Sequence, residues 1–71
     1  MQIETFISYN QNLGFIDVEY VGMEKSQTEG FSDILVVRHS GVESKLLWDD
    51  YNNYYSGYIV KNGKQIEGYV V

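Results

Sequence analysis

The dipeptide Asn62-Gly63 lies between two runs of residues rich in β-branched and aromatic side chains, 54–61 and 64–71. Asn-Gly is the preferred two-residue loop of a type I′ β-hairpin, because both loop positions need a positive φ. The dipeptide therefore predicts how the two strands pair, residue by residue. The predicted pairs are Lys61 with Lys64, Val60 with Gln65, Ile59 with Ile66, Tyr58 with Glu67 and Gly57 with Gly68.

This pairing also sorts the side chains of the hairpin, because successive residues of a strand point to opposite faces of the sheet. The face that we expect to join the core carries Ile59, Ile66, Tyr55 and Val70. The opposite face carries Tyr58, Gln65, Glu67 and Tyr69. One hairpin thus predicts a core face and a tyrosine-bearing face.

Two segments near the N-terminus alternate between apolar and polar residues, as half-buried strands do. These segments are residues 3–9 and 15–21. Between them, residues 10–14 (NQNLG) have the composition of a turn, because Asn tolerates the left-handed region and Gly adopts it freely. We therefore expect a second hairpin here.

The middle of the chain contains an apolar strand followed by a turn and a returning strand. Residues 34–37 (ILVV) are apolar on both faces, which is typical of a strand at the centre of a sheet. Residues 39–42 have turn composition, and residues 44–49 predict the strand that follows. The whole chain therefore predicts a single all-β domain, 1–71, built as a small antiparallel sheet or barrel of five or six strands.

Residues 22–30 (GMEKSQTEG) break the alternation and are bounded by Gly at both ends. This segment predicts either a loop or one short helical turn near residues 23–28, which would make the fold α+β. The sequence leaves both alternatives open, because so short a segment does not form a stable isolated helix. Long loops often carry function, so its acidic residues count among the candidates below.

The length of the chain limits how it can be stabilised. A domain of 71 residues buries only about 60% of its unfolded surface, so we expect marginal stability or help from self-association. The absence of Cys excludes disulfides and thiolate metal sites. The absence of Pro leaves the edge strands unprotected, so an open edge would allow a homodimer or pairing with a partner's strand.

The charge balance narrows the classes of partner. Ten acidic residues against five basic ones give a net charge of −5, with no basic stripe. We therefore expect no direct binding of nucleic acid or of anionic membranes, and we expect instead a basic surface on another protein. The chain has no apolar run of about 18 residues and no secretion signal at its N-terminus. Together with the initial Met, this predicts a complete small cytoplasmic protein.

Catalytic patterns are almost absent from the sequence. The single His, His39, stands beside Ser40 in a predicted turn, where we expect an ordinary surface residue. Asp49, Asp50 and the two Asn that follow Tyr51 lack the spacing and the central Gly of a calcium loop, so they predict a solvated turn. We expect no enzyme activity, no catalytic residue, no metal site and no cofactor.

Aromatic residues are concentrated towards the C-terminus, and too many are present for all of them to be buried in so small a domain. Trp48 and Tyr55 are the best candidates for the core. Aromatic side chains left outside, next to acidic ones, would form a patch suited to binding a basic protein surface. The predicted partner-binding residues are Trp48, Asp49, Asp50, Tyr51, Tyr54 and Tyr58, with Glu24 and Glu29 of the middle segment.

An alternative function stays open on the sequence alone. Several copies could join through open edges and hold a small molecule, such as a nucleotide signal, between aromatic residues. Lys61 and Lys64 would face each other beside the hairpin tip, where they could hold a phosphate. The ligand-binding residues of this alternative are Tyr54, Tyr58, Lys61, Lys64 and Arg38.

Part of the chain, about residues 32–71, resembles the phage-encoded uracil-DNA glycosylase inhibitors. The resemblance lies in residues 32–36 (SDILV), Leu46-Leu47, Asp49-Asp50, Tyr54, Ile59-Val60 and the Asn62-Gly63 hairpin. Those inhibitors are small, acidic, cysteine-free antiparallel proteins that mimic the charge of DNA inside the groove of the enzyme. A hydrophobic pocket of theirs holds an apolar residue of that enzyme.

The resemblance implies a phage or mobile-element inhibitor, acting against host defence, that occupies the nucleic-acid-binding surface of a host protein. The chain departs from that family in residues 2–22, which predict strands where the family has helices. The family's Glu-Ser-Ile motif does not occur either. The resemblance therefore implies the class of small acidic inhibitor and supplies no contact residues.

Overall fold

The computed structural model describes residues 1–8, 11–26 and 33–70. This part of the chain forms seven strands and contains no helix. The strands are β1 (Gln2–Ser8), β2 (Gln11–Asp17), β3 (Glu19–Glu24), β4 (Ile34–His39), β5 (Val42–Asp49), β6 (Tyr54–Lys61) and β7 (Lys64–Val70). The all-β prediction is confirmed. The predicted count of five or six strands was too low, because the segment predicted as one strand, 15–21, is divided at Val18 into β2 and β3.

The seven strands form one open antiparallel sheet in the order β2-β1-β7-β6-β5-β4-β3. β2 and β3 are its two edges, although only Val18 separates them in the chain. The sheet therefore curls until its edges approach each other at this residue. The Val18 N–H donates to the Met1 carbonyl oxygen at 2.8 Å, and the Met1 amino group donates to the Val18 carbonyl oxygen at 3.2 Å.

The C-terminal hairpin has the predicted register. All five predicted pairs are present, from Lys61 with Lys64 to Gly57 with Gly68. The turn has φ values of 52° at Asn62 and 76° at Gly63, as a type I′ loop requires. The predicted turn at 39–42 is confirmed as a second tight hairpin, because His39 pairs with Val42 around two residues of positive φ.

The core lies on the inner face of the curled sheet. Its buried apolar residues are Ile3, Val18, Leu35, Val37, Leu46, Ile59 and Ile66, with Leu13, Ile16, Tyr55 and Val70 packed against them. The core face predicted for the hairpin is confirmed. Gly68 of β7 leaves room for the side chain of Ile3 on the neighbouring strand β1, since a Cβ at residue 68 would lie 2.8 Å from Ile3 Cγ2. The buried Thr5 hydroxyl donates to the Gly14 carbonyl oxygen at 2.9 Å, so it is satisfied within this core.

The predicted N-terminal hairpin is confirmed, because β1 pairs antiparallel with β2, but residues 11–14 of its predicted turn belong to β2 and residue 10 lies outside the described residues. The register of β1 against β2 shifts where Thr5 pairs with Gly14 and Phe6 with Asn12, which leaves Leu13 without a partner. Gly14 has a φ of 87° at this bulge. Asn and Gly allow a positive φ in bulges as well as in turns, so composition alone did not separate the two.

The position predicted for the apolar strand was also wrong. Leu35, Val36 and Val37 of β4 are buried on both faces, as predicted, yet β4 lies next to the edge strand β3. On the outer face, Lys45 of β5 reaches Glu24 of β3 at 3.0 Å, so this ion pair crosses β4 above Val36. Long charged side chains can cover apolar surface in this way, and no further strand is needed.

The helical turn considered near residues 23–28 is absent from the described part of that segment. Met23 and Glu24 end β3, and Lys25 and Ser26 follow without helical structure. Residues 27–32 lie outside the described residues. Nowhere in ranges 1–8, 11–26 and 33–70 is there a helix long and apolar enough to cross a membrane.

Candidate functional site

An open groove of about 430 Å³ lies on the outer face of β1, β7 and β6. We call it the aromatic groove. Its lining residues are Phe6, Tyr54, Ser56, Gly57, Tyr58, Glu67, Gly68 and Tyr69. Apart from the two glycines, these residues alternate along the strands with core residues such as Ile59 and Ile66, which places their side chains on the opposite face of the sheet.

Three stacked rings form one side of the aromatic groove. The ring centroids of Phe6 and Tyr69 are 5.1 Å apart with 22° between the planes. Those of Tyr69 and Tyr54 are 4.7 Å apart with 11° between the planes. Tyr69 thus lies between a ring from β1 and a ring from β6, and the stack is continuous across three neighbouring strands.

The strand register explains which polar groups border these rings. Glu67 of β7 pairs with Tyr58 on one side and with Phe6 on the other. Side chains of directly opposite residues in antiparallel strands are neighbours on one face of the sheet. The exposed carboxylate of Glu67 is therefore flanked by an aromatic residue on each neighbouring strand.

A second carboxylate, that of Glu4, is engaged inside the site. It accepts a hydrogen bond from the Asn12 amide, and it lies directly opposite Tyr69 on the neighbouring strand. Burial of the phenol raises the pKa of Tyr69, and the hydrogen bond and negative charge of Glu4 raise it further. Tyr69 therefore stays protonated at neutral pH and anchors the stack to β1.

The positive charges of the sheet lie away from the aromatic groove. Among the described residues, the ion pairs join β3, β4 and β5: Arg38 with Glu19 at 2.9 Å, Arg38 with Glu43 at 4.0 Å and Lys45 with Glu24 at 3.0 Å. No ion pair in that part of the chain involves Glu4 or Glu67. The groove therefore keeps its negative charge uncompensated.

The β5–β6 loop leads into the aromatic groove and is organised by Asp49. The Asp49 carboxylate accepts the backbone N–H of Tyr51 at 2.9 Å, the backbone N–H of Asn52 at 3.1 Å and the Asn52 side-chain amide at 2.9 Å. The hydrogen bonds from Asn52, and then that from Tyr51, lower the pKa of Asp49. The loop leaves Tyr51 92% exposed just before Tyr54.

The structure brings together some of the predicted partner-binding residues. Tyr54 and Tyr58 line the aromatic groove, and Asp49, Asp50 and Tyr51 occupy the loop beside it. Asp49 differs from the other loop residues, because its carboxylate is used within the loop.

Three of the predicted partner-binding residues are not part of this group. Trp48 points to the core side, where it meets Tyr55 edge-to-face with 5.0 Å between ring centroids. Glu24 lies on the edge strand β3, in its ion pair with Lys45. Glu29 lies outside the described residues.

The residues of the alternative ligand site do not come together. Lys61 and Lys64 face each other as predicted, but strand alternation places them on the same side as Ile59, opposite to Tyr58. Arg38 lies two strands from β6 and is paired with Glu19 and Glu43. The aromatic and cationic members of that set therefore occupy different surfaces.

Sequence reasoning missed part of the aromatic groove. The hairpin register already placed Tyr58, Glu67 and Tyr69 on one face, so Glu67 and Tyr69 could have been named as site residues. Phe6 and Glu4 join them only because β1 pairs with β7, and no local pattern in the sequence indicates that pairing.

The described residues contain no group of three or more His, Cys, Asp or Glu side chains suited to holding a metal ion. His39 ends β4 and is half-buried, with its Nδ1 atom 3.2 Å from the Val60 carbonyl oxygen. This contact fits a structural hydrogen bond between β4 and β6. Comparisons of the chain with protein-family models, with curated proteins and with solved structures find no match.

Proposed function

We propose that this chain is a non-enzymatic protein-binding module that covers a basic surface of a larger protein. The observation that carries the proposal is the aromatic groove, in which stacked rings share one exposed face with the carboxylate of Glu67, which has no ion pair among the described residues. Tyrosine contributes contact area and a hydroxyl with few rotatable bonds, and interface centres are enriched in aromatic residues. Such a face complements a partner that presents positive charge.

The charge distribution favours a protein partner over nucleic acid. The net charge is −5, and the two carboxylates at the aromatic groove would repel phosphate groups. Aromatic platforms that bind bases normally lie in cationic grooves. A basic, nucleic-acid-binding surface of a host protein fits this face, in line with the resemblance to the phage inhibitors.

The experiment is a pull-down of the tagged chain from bacterial lysate, carried out in parallel with Tyr58→Ser and Tyr20→Ser. The two tyrosines make a matched pair, since they are 61% and 53% exposed, and Tyr20 lies on the edge strand β3. We expect one protein in stoichiometric amount with the wild type and with Tyr20→Ser, and its loss with Tyr58→Ser.

Two outcomes would contradict this proposal. If Tyr58→Ser captures the host protein as well as Tyr20→Ser does, the aromatic groove is not part of the interface. Recovery of self-associated chain with a retained small molecule, and of no host protein, would favour the oligomeric ligand binder instead.

A further inference from the structure

The geometry points to an arginine side chain of the partner as the group that enters the aromatic groove, with Glu67 as its counter-ion. This inference rests on the proposed function and adds to it the chemistry of the occupant. It starts from the difference between the two carboxylates of the site. Glu4 already accepts a hydrogen bond from the Asn12 amide, whereas Glu67 has no ion pair within the described residues.

Glu67 occupies a position that suits a planar cation. It lies directly across from Tyr58 on β6 and from Phe6 on β1, so aromatic side chains flank its carboxylate on both sides. A cation that pairs with Glu67 therefore also meets aromatic rings, and the two attractions add at one point. A neutral or anionic group would gain neither.

Arginine fits this combination better than lysine does. The guanidinium is planar, more weakly hydrated than an ammonium, stacks on aromatic rings and can bind a carboxylate through two parallel hydrogen bonds. The volume of about 430 Å³ also leaves room for the residues beside the arginine. The Ser56 hydroxyl lines the same groove and can accept a hydrogen bond from the guanidinium.

The site is formed before the ligand arrives. The rings of Phe6, Tyr69 and Tyr54 are in contact with one another, with centroids 5.1 Å and 4.7 Å apart. A preformed wall reduces the ordering cost of binding. The occupant is therefore expected to bind detectably even as a short peptide.

The test is a titration of the ¹⁵N-labelled chain with three short peptides that differ at one central residue: arginine, lysine or citrulline. Citrulline has nearly the shape of arginine and carries no charge. We expect the arginine peptide to shift the amide signals of residues 6, 56–58 and 67–69. The citrulline peptide should bind about 5- to 30-fold more weakly, since it loses both the ion pair and the cation–π contact.

The variant Glu67→Gln should remove most of the preference for arginine over citrulline. Its matched control is Asp33→Asn, which makes the same change in charge at an exposed residue just before β4, three strands from β7. The control should keep the preference. The amide spectrum of each variant, recorded without peptide, establishes that the fold is retained.

Three results would overturn the inference: equal affinity for the arginine and citrulline peptides, an unchanged preference in Glu67→Gln, or no shifts in the groove with the arginine peptide. If Tyr58→Ser still abolishes capture of the host protein in any of these cases, the proposed function stands and only the occupant is wrong. If capture is insensitive to Tyr58→Ser as well, both fail.

Discussion

The rings of Tyr54 and Tyr69 stack across β6 and β7 with 4.7 Å between their centroids and 11° between their planes. Aromatic pairs of this kind contribute about 0.5–1.5 kcal/mol beyond the area that they bury. Tyr69 also stacks on Phe6 of β1, with 5.1 Å between the ring centroids. One side chain therefore connects three strands on the outer face and gives the aromatic groove a fixed wall.

The effect of Glu4 on the pKa of Tyr69 can be tested by titration. We expect Glu4→Gln to lower the pKa of Tyr69 towards the ordinary value of 10.0, without reaching it, because burial of the phenol remains the first cause of the rise. Tyrosinate absorbance followed against pH measures this. Tyr69→Phe, which removes the group, identifies its transition.

The same shift has a consequence for stability at alkaline pH. The folded state holds the Tyr69 proton to higher pH than the unfolded state does. Its contribution is therefore complete below about pH 10 and is lost as pH rises through the raised folded pKa. Above pH 10, the free energy of unfolding measured with urea should decline less steeply with pH in Glu4→Gln than in the wild type. Identical slopes in the two proteins would contradict the assignment.

A second prediction concerns Asp49, whose carboxylate organises the β5–β6 loop. Its folded pKa is lowered, so its contribution to stability is complete above the ordinary value of 3.8 and is lost as pH falls through the folded pKa. Asp49→Ala should therefore have a lower urea midpoint than the wild type at neutral pH. The difference between the two midpoints should be smaller at about pH 3.

The matched control for this prediction is Asp50→Ala, because Asp50 is the exposed neighbour in the same loop. It should change the midpoint much less than Asp49→Ala does. A larger effect from Asp50→Ala would mean that the loop is held differently from the three hydrogen bonds to Asp49.

Local signals in the sequence were sufficient for the hairpins and insufficient for the arrangement around them. Asn62-Gly63 predicted both the turn and five strand pairs, because a two-residue loop leaves one register. The pairing of β1 with β7 joins Phe6 to Glu67. This pairing of β1 with β7 depends on contacts between residues far apart in the chain, and no local sequence pattern indicates it.

The candidate site was predictable to the same extent. Tyr58 was named from its place on the outer face of the hairpin, and that face was known from the register. Trp48 is a candidate because of its residue type alone, but the alternation of side chains along β5 places it on the core side, beside Tyr55. Glu24 is a candidate because of its charge, but its carboxylate forms an ion pair with Lys45 across β4.

A third prediction concerns the close contact between Gly68 of β7 and Ile3 of β1. A Cβ at this buried position would lie 2.8 Å from Ile3 Cγ2, so the Ile3 side chain would have to move. We expect Gly68→Ala to lower the free energy of unfolding by about 1–3 kcal/mol. Gly22→Ala is the control, because a Cβ there meets nothing within 4 Å and should cost no more than about 0.5 kcal/mol. Equal losses in urea unfolding would contradict this packing.

The last prediction tests whether the acidic loop beside the aromatic groove attracts the partner. Asp50→Lys and Lys64→Glu change the net charge by the same amount in opposite directions. Asp50 lies in the loop beside the aromatic groove, whereas Lys64 lies at the hairpin tip. Against a basic partner, we expect Asp50→Lys to slow association several-fold at low salt, roughly three- to tenfold, and Lys64→Glu to leave it unchanged or faster.

The salt dependence of the two rates and the effect of Lys64→Glu on binding complete this test. Both changes in association rate should shrink as salt rises, because exposed charges are screened over about 10 Å at 0.1 M ionic strength. Stopped-flow or surface-based kinetics with the captured host protein measures the rates. If Lys64→Glu abolishes binding to the host protein while Asp50→Lys has no effect, the interface lies at the hairpin tip, and its assignment to the face beside the aromatic groove is wrong. If Asp50→Lys slows association and Lys64→Glu leaves it unchanged or speeds it, the partner carries positive charge, because a negatively charged partner would reverse the sign of both effects.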